Sequence, residues 1–238
     1  MIVLLVTCLA ALLSPSVHGV DFTTWPTIAP QFCNGFKQSP INIVTVSVQG
    51  NPNLTTFNFT GFDDNSTFLE IVNSGVSVVV SLNSSKMAVQ GGDLPGLYNP
   101  TQVSIHWGNG SSSPGSEHTV DGKQYPMELQ ILNVHSKYNG NVSAALAAND
   151  SIGLAVFSFF IEVNNKFPMK IQVTLNSLLE GVDKTKYYRY QGSLTTPNCN
   201  EVVIWTVFKQ PINVSQNLIN LFSTTLNFKA DGASVLMN

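Results

Sequence analysis

Charge is what this 238-residue chain has least of: Asp, Glu, Lys and Arg together make up 11%, against roughly 25% in an average soluble chain. That scarcity excludes a solvated disordered tail, a coiled coil and a polybasic nucleic-acid binder. The net charge of −3, with no run of like charges, excludes an acidic polyelectrolyte built to coat mineral. Cysteine is scarce as well; three residues are too few for a disulfide scaffold, and the question becomes which two pair. Past the first residues no apolar run approaches the roughly 20 residues that cross a bilayer. No internal repeat and no linker divides the chain, so it reads as one domain long enough to bury a sizeable core.

What is there begins with a short apolar run, Met1 to Leu13, followed by Ser14, Pro15 and Ser16 and a small residue at Gly19. This pattern is that of a signal peptide over residues 1–19, with the mature domain at 20–238, although no Lys or Arg precedes the run. A membrane anchor is the alternative, but about 12 apolar residues fall short of a span. Eight Asn-x-Ser/Thr sequons, at Asn53, Asn58, Asn65, Asn83, Asn109, Asn141, Asn149 and Asn213, point the same way, toward a secreted glycoprotein. Cleavage would remove Cys8 and leave Cys33 and Cys199. In an oxidising compartment these form one disulfide or stay as two buried thiols.

The recurring local pattern is β-branched and short: Ile41–Val48, Phe68–Val72, Val76–Leu82, Val103–Trp107, Met127–Val134, Gly153–Val163 and Val202–Phe208. Several of these segments alternate apolar and polar residues, the signature of strands with unlike faces. Helical periodicity is weak, with candidates at Ile171–Leu179 and from an N-cap at Ser215 through Phe222. The expected architecture is mostly β: a single domain with a large sheet and a few short helices.

Four blocks occur in order: Gln38-Ser39-Pro40-Ile41-Asn42-Ile43, Ile105-His106-Trp107-Gly108, Gly115-Ser116-Glu117-His118-Thr119-Val120, and Tyr190-Gln191-Gly192-Ser193-Leu194-Thr195-Thr196-Pro197. Together they resemble an α-class carbonic anhydrase from about Cys33 to Asn238. The resemblance implies a central twisted, mainly antiparallel sheet with zinc at the floor of a conical cleft. It also implies that Cys33 and Cys199 are the disulfide pair of the secreted members. Members usually continue into a further segment that docks on the sheet, and this sequence stops near where that segment would begin.

The family chemistry needs three neutral imidazoles on zinc, with water in the fourth position. Two ligands are expected on one strand at alternate residues, which share a face. Here Gln102, Ser104 and His106 share that face, and the first ligand position is Ser104. On the neighbouring strand Glu128 matches an outer-shell glutamate, and Gln130 stands at the third ligand position. Only His106 remains as a ligand. His118 resembles a structural residue, His135 has the wrong parity, and His106 reads as an imidazole hydrogen-bonded to its neighbours. Zinc lowers the pKa of water from about 15.7 to about 7; without it the hydroxide fraction at neutral pH falls by roughly nine orders of magnitude. The position of the family's proton-shuttle histidine is Val76.

Other positions agree with active members. Thr195 and Glu117 match the pair that orients the zinc-bound hydroxide, Gln102 and Glu128 match groups behind the ligands, and Val156, Leu194 and Trp205 match the apolar wall that receives carbon dioxide. They are kept either as a binding cleft or as packing and hydrogen-bonding residues of the sheet. The expected function is a secreted carbonic-anhydrase-like glycoprotein, without zinc and without carbon dioxide hydration. It would bind an extracellular protein or a small anion, or serve as a matrix component; a residual zinc-dependent dehydratase is the alternative. No nucleic-acid partner and no membrane span are expected.

Overall fold

A computed structural model describes residues 33–74, 77–109, 113–165, 173–196, 198–225 and 234–236. The signal run and Val76 lie outside them. Strands dominate: β1 (Asn42–Ile43), β2 (Phe57–Thr60), β3 (Phe68–Asn73), β4 (Val78–Leu82), β5 (Ala88–Gly91), β6 (Tyr98–Trp107), β7 (Thr119–Val120), β8 (Lys123–Gln124), β9 (Met127–His135), β10 (Leu154–Val163), β11 (Tyr187–Gly192), β12 (Val203–Val214) and β13 (Ser234–Leu236). Among the described residues three short α-helices accompany them: α1 (Val142–Ala147), α2 (Leu175–Leu178) and α3 (Gln216–Thr225).

The main path of the large sheet runs β11-β12-β10-β9-β6-β4-β3-β13, with β5 also on β6 and β2 on β5. Its pairs are antiparallel except β10 with β12. A small sheet, β1-β7-β8, lies apart. The expected mostly-β, mainly antiparallel architecture is what the chain adopts, and among the described residues no helix is long and apolar enough to cross a membrane.

The central strands are apolar on one face and mixed on the other because side chains alternate across a pleat. Val103, Ile105 and Trp107 of β6, Met127, Leu129 and Ile131 of β9, and Phe157, Phe159 and Ile161 of β10 enter one core cluster. Burial of each such side chain contributes about 1.5–3 kcal/mol. The opposite face carries Gln102, Ser104 and His106 on β6 and Glu128 and Gln130 on β9. Leu132, Val156 and Trp205 form a second apolar cluster on that side. Residues of β9 from Met127 to Val134 are all buried, since both faces of that strand are covered.

Three expectations about local structure need correction. The segment Ile41–Val48 is a strand only at Asn42–Ile43, and the chain then makes a 3-10 turn at Thr45–Ser47. Asp121 causes the turn: its carboxylate accepts from Thr45 N at 2.8 Å and Thr45 Oγ1 at 2.6 Å, a local alternative to the ladder. Val46 is left 92% exposed. In the Ile171–Leu179 window, the described residues form a single helical turn, Leu175–Leu178, with a capping box between Thr174 and Ser177. Last, β12 runs six residues beyond Phe208, through Pro211 to Val214. The pairing with β10 shifts register between Phe159 and Ile161, which carries the strand past the irregularity.

Candidate functional site

The site is assembled by three strands and two loops. Ser104 lies opposite Gln130, and His106 opposite Glu128, in the β6–β9 ladder, while Ser158 of β10 lies opposite Gln130 on its other side. Parity therefore puts Ser104, His106, Glu128, Gln130 and Ser158 on one face. Glu117 and His118 come from the loop before β7, and Thr195 from the loop after β11.

Glu128 is the hub. Its side chain is fully buried and accepts four bonds. His118 N donates to Oε2 at 2.8 Å, while His118 Nδ1 at 2.8 Å, Ser158 Oγ at 2.7 Å and Gln130 Nε2 at 2.9 Å surround Oε1. Burial alone would push this carboxyl up, but the adjacent His118 imidazole and the hydrogen bonds from His118 and Ser158 outweigh it and hold it below the usual carboxylate range. Four donors around one carboxyl group fit its ionised, acceptor-only form.

The network continues outward. His118 Nε2 lies 2.7 Å from the Tyr190 hydroxyl, which lies 2.8 Å from Ser39 Oγ; Ser39 Oγ in turn accepts from Ser193 N at 3.0 Å. These contacts link Ser193, Ser39, Tyr190, His118 and Glu128 in one continuous chain, in which Ser193 N–H donates to Ser39 Oγ. Burial pushes the Tyr190 phenol well up, so it stays neutral. Tyr190 and Ser39 belong to the sequence blocks, but no role for them was legible there. Ser158 carried no signal at all, since its position depends on register across two ladders.

Gln130 occupies the centre. Its Nε2 donates to Glu117 Oε2 at 2.6 Å as well as to Glu128, so one amide joins two carboxyl groups. Thr195 Oγ1 donates to the same Glu117 oxygen at 2.8 Å, which turns the lone pairs of its hydroxyl away from Glu117. The expected pairing of Thr195 with Glu117 is thus formed.

His106 is a correction. Its Nδ1 lies 3.6 Å from Glu117 Oε1, an ion-pair contact longer than a hydrogen bond, so the expected hydrogen bond is not formed with this neighbour. Gln102 sits half-buried on the same face of β6, between Ser81 and Leu132 in the ladders. Val156 and Trp205 are buried together and Leu194 packs on them; Trp205 Nε1 donates to Ser193 O at 2.9 Å.

Residues of the sequence reading that lie away from the site are also placed. His135 ends β9, packs edge-on to Tyr98 and accepts from Lys137 N. Cys33 and Cys199 form a disulfide across a sequence separation of 166, and nearby Gln38 Nε2 donates to Glu201 at 2.8 Å. The side chains of Asn53, Asn58, Asn65, Asn109, Asn141 and Asn149 are exposed, whereas Asn83 and Asn213 are half-buried.

Among the described residues no group of three or more His, Cys, Asp or Glu is placed to hold a metal ion. The three side chains at the positions where the sequence resemblance expects ligands are a hydroxyl, one imidazole and an amide whose nitrogen donates to carboxylates. Neutral oxygen donors of this kind are poor partners for zinc, which takes imidazole, thiolate or carboxylate. This donor set does not fit the ion.

Comparison with known proteins agrees with the fold and the sequence blocks. The model of the eukaryotic-type carbonic anhydrases matches residues 20–172 and 164–238. Carbonic anhydrase 4 of Mus musculus is 38% identical over 223 residues, covering 85% of this chain and 70% of the mouse protein. Carbonic anhydrase 12 of Homo sapiens is 36% identical over 218 residues, 82% of this chain and 59% of its own length. Carbonic anhydrase 6 of Homo sapiens is 35% identical over 227 residues, 86% of this chain and 71% of its own.

Proposed function

The chain belongs to the eukaryotic-type carbonic anhydrase family, and from that membership we propose a secreted glycoprotein that neither holds zinc nor hydrates carbon dioxide and acts by binding. The observation that carries the reading is the Gln130 amide. It bridges Glu117 and Glu128 where the family chemistry needs an imidazole on the metal. Ser104 removes a second nitrogen, and the Val76 position offers no base for proton transfer.

The disulfide, the leader-like run and the exposed sequons support an extracellular setting. Val156, Leu194 and Trp205 pack together at the position of the family's apolar wall, which keeps a binding role for this face in the reading. The partner in this reading is an extracellular protein or a small anion.

The experiment is metal analysis of the purified secreted protein together with stopped-flow carbon dioxide hydration. Zinc well below stoichiometric and a rate at the uncatalysed background are expected. One zinc per chain, with inhibition by an aryl sulfonamide, would overturn the proposal. A gel shift on glycosidase treatment, with modified Asn located by mass spectrometry, tests the glycoprotein part; an unmodified chain in the medium would refute it.

A further inference from the structure

We propose that Asn58 carries an N-linked glycan whose inner sugars fold back into a groove beside it and fasten the loop between β5 and β6. The inference rests on the glycoprotein reading above and deepens it, because it assigns one of the eight sequons and gives its glycan a place on the fold. In β2 the rings of Phe57 and Phe59 turn inward, with centroids 4.8 Å from those of Phe157 and Phe62 respectively. Side chains alternate along a strand, so Asn58 and Thr60, the first and third residues of the sequon, share the outer face, and both are exposed. Asn58 stands in the wall of a groove of about 460 Å³, and none of the other seven sequon asparagines lines it.

The chemistry of the wall fits a sugar. It contains no charged side chain, so it offers nothing to an ionic occupant. Leu94 and Leu97 supply an apolar surface, and Leu97 is left 38% exposed. The C–H face of a pyranose ring covers such side chains favourably, since apolar area leaves water. Thr56 and Gln90 supply hydrogen-bonding groups for the acetamide and hydroxyls of N-acetylglucosamine. Gln90 lies directly opposite Asn58 in the β2–β5 ladder, where cross-strand Cβ atoms are about 4.5–5.5 Å apart. Gly91 and Gly96 leave bare backbone in the same wall. Both are held as glycine: their φ values are +91° and +149°, and an added Cβ would lie 2.6 Å from Thr56 O and 2.8 Å from His135 Nε2. The groove volume falls in the roughly 300–1,000 Å³ range of small-molecule sites, which suits the inner sugars and leaves the branches in solvent. A sugar already joined to the wall docks intramolecularly, so weak contacts suffice.

The test uses the intact secreted chain. Glycopeptide mass spectrometry should find Asn58 occupied. Asn58→Gln and Thr60→Ala, which remove the sequon through different side chains, should each lower the melting temperature by about 2–4 °C and speed amide exchange at Gly92 and Leu94 roughly fivefold. Those two N–H groups are bonded to Thr56 O and Gly91 O, so they report on the loop. Thr60→Ser keeps the sequon and should match the wild type. Leu97→Ser should speed the same exchange in the glycosylated chain and change it little in Asn58→Gln, the coupling expected of groups in contact. An unmodified Asn58 in a chain glycosylated at other sequons overturns the inference and leaves the glycoprotein reading standing; a chain with no glycan at all refutes that reading as well. Equal exchange at Gly92 and Leu94 with and without the Asn58 glycan also overturns the inference and leaves the groove to another occupant.

Discussion

Replacing Ser104→His and Gln130→His together asks whether the amide bridge stands where a metal would otherwise be held. In the native chain the Gln130 amide donates to Glu117 Oε2 at 2.6 Å and to Glu128 Oε1 at 2.9 Å. Hydrogen bonds to charged groups contribute about 1.5–3 kcal/mol each. A neutral imidazole has one N–H and can keep at most one of the two bonds. The metal-free double variant should therefore lose about 1.5–3 kcal/mol. At about 2–4 °C per kcal/mol for a domain of this size, its midpoint should fall by roughly 3–12 °C.

Zinc then acts with opposite results on the two proteins. At a free concentration 100 times the dissociation constant, binding to the folded state alone returns about 2.7 kcal/mol. Scanning calorimetry should show no response of the native chain to zinc and recovery of most of the loss in the double variant. Either single change should do little, because two nitrogens do not fix a tetrahedral ion against buffer and water. The pair should thus be strongly non-additive. Carbon dioxide hydration should appear in the double variant and rise further with imidazole buffer, as Val76 supplies no proton acceptor. A double variant with a native-like spectrum that takes up no zinc would refute the assignment of these two positions.

Gln130→Leu removes both donors and should cost about 3–5 kcal/mol in urea unfolding, against near neutrality if the bridge is incidental. Because the folded-state pKa of Glu128 is depressed, its contribution to stability is full above its unfolded value near 4.5 and is lost as pH falls toward about 2. Acid unfolding of His118→Phe should start at higher pH than that of the native chain, and coincident curves would contradict the hub role. Tyr190→Phe breaks the chain between Ser39 and His118 and should cost about 1–3 kcal/mol by denaturant titration, with an unchanged midpoint counting against it. Cys33→Ser opens a loop with a sequence separation of 166. The loop-entropy relation puts the cost at up to about 5 kcal/mol, and a loss below 1 kcal/mol in oxidised buffer would refute it.

The alternation in Gln102-Val103-Ser104-Ile105-His106-Trp107 was enough to assign two faces to β6, and the structure puts odd residues in the core and even ones on the site face. Gly153–Val163 likewise read as a strand, and the structure forms one at Leu154–Val163, buried over most of its length. The resemblance also placed Ser104 and Gln130 at positions where it expects imidazoles, an expectation the double variant above tests. Segment ends were less legible. Ile41–Val48 has the composition of a strand, yet Asp121, distant in sequence, captures Thr45 and ends the ladder. Helix α1 went unread because its N-cap, Asn141, was legible only as a sequon, although its side chain accepts from Ala144 N.

By itself the sequence determined the class of fold and the family blocks, because periodicity and residue type are local properties. Only the tertiary structure decided what Gln130 does instead. Its amide reaches two carboxyl groups that come from different parts of the chain, and Ser158, Tyr190 and Ser39 join the same network from three further segments. Those contacts follow from strand register and loop closure, which set distances between residues far apart in sequence.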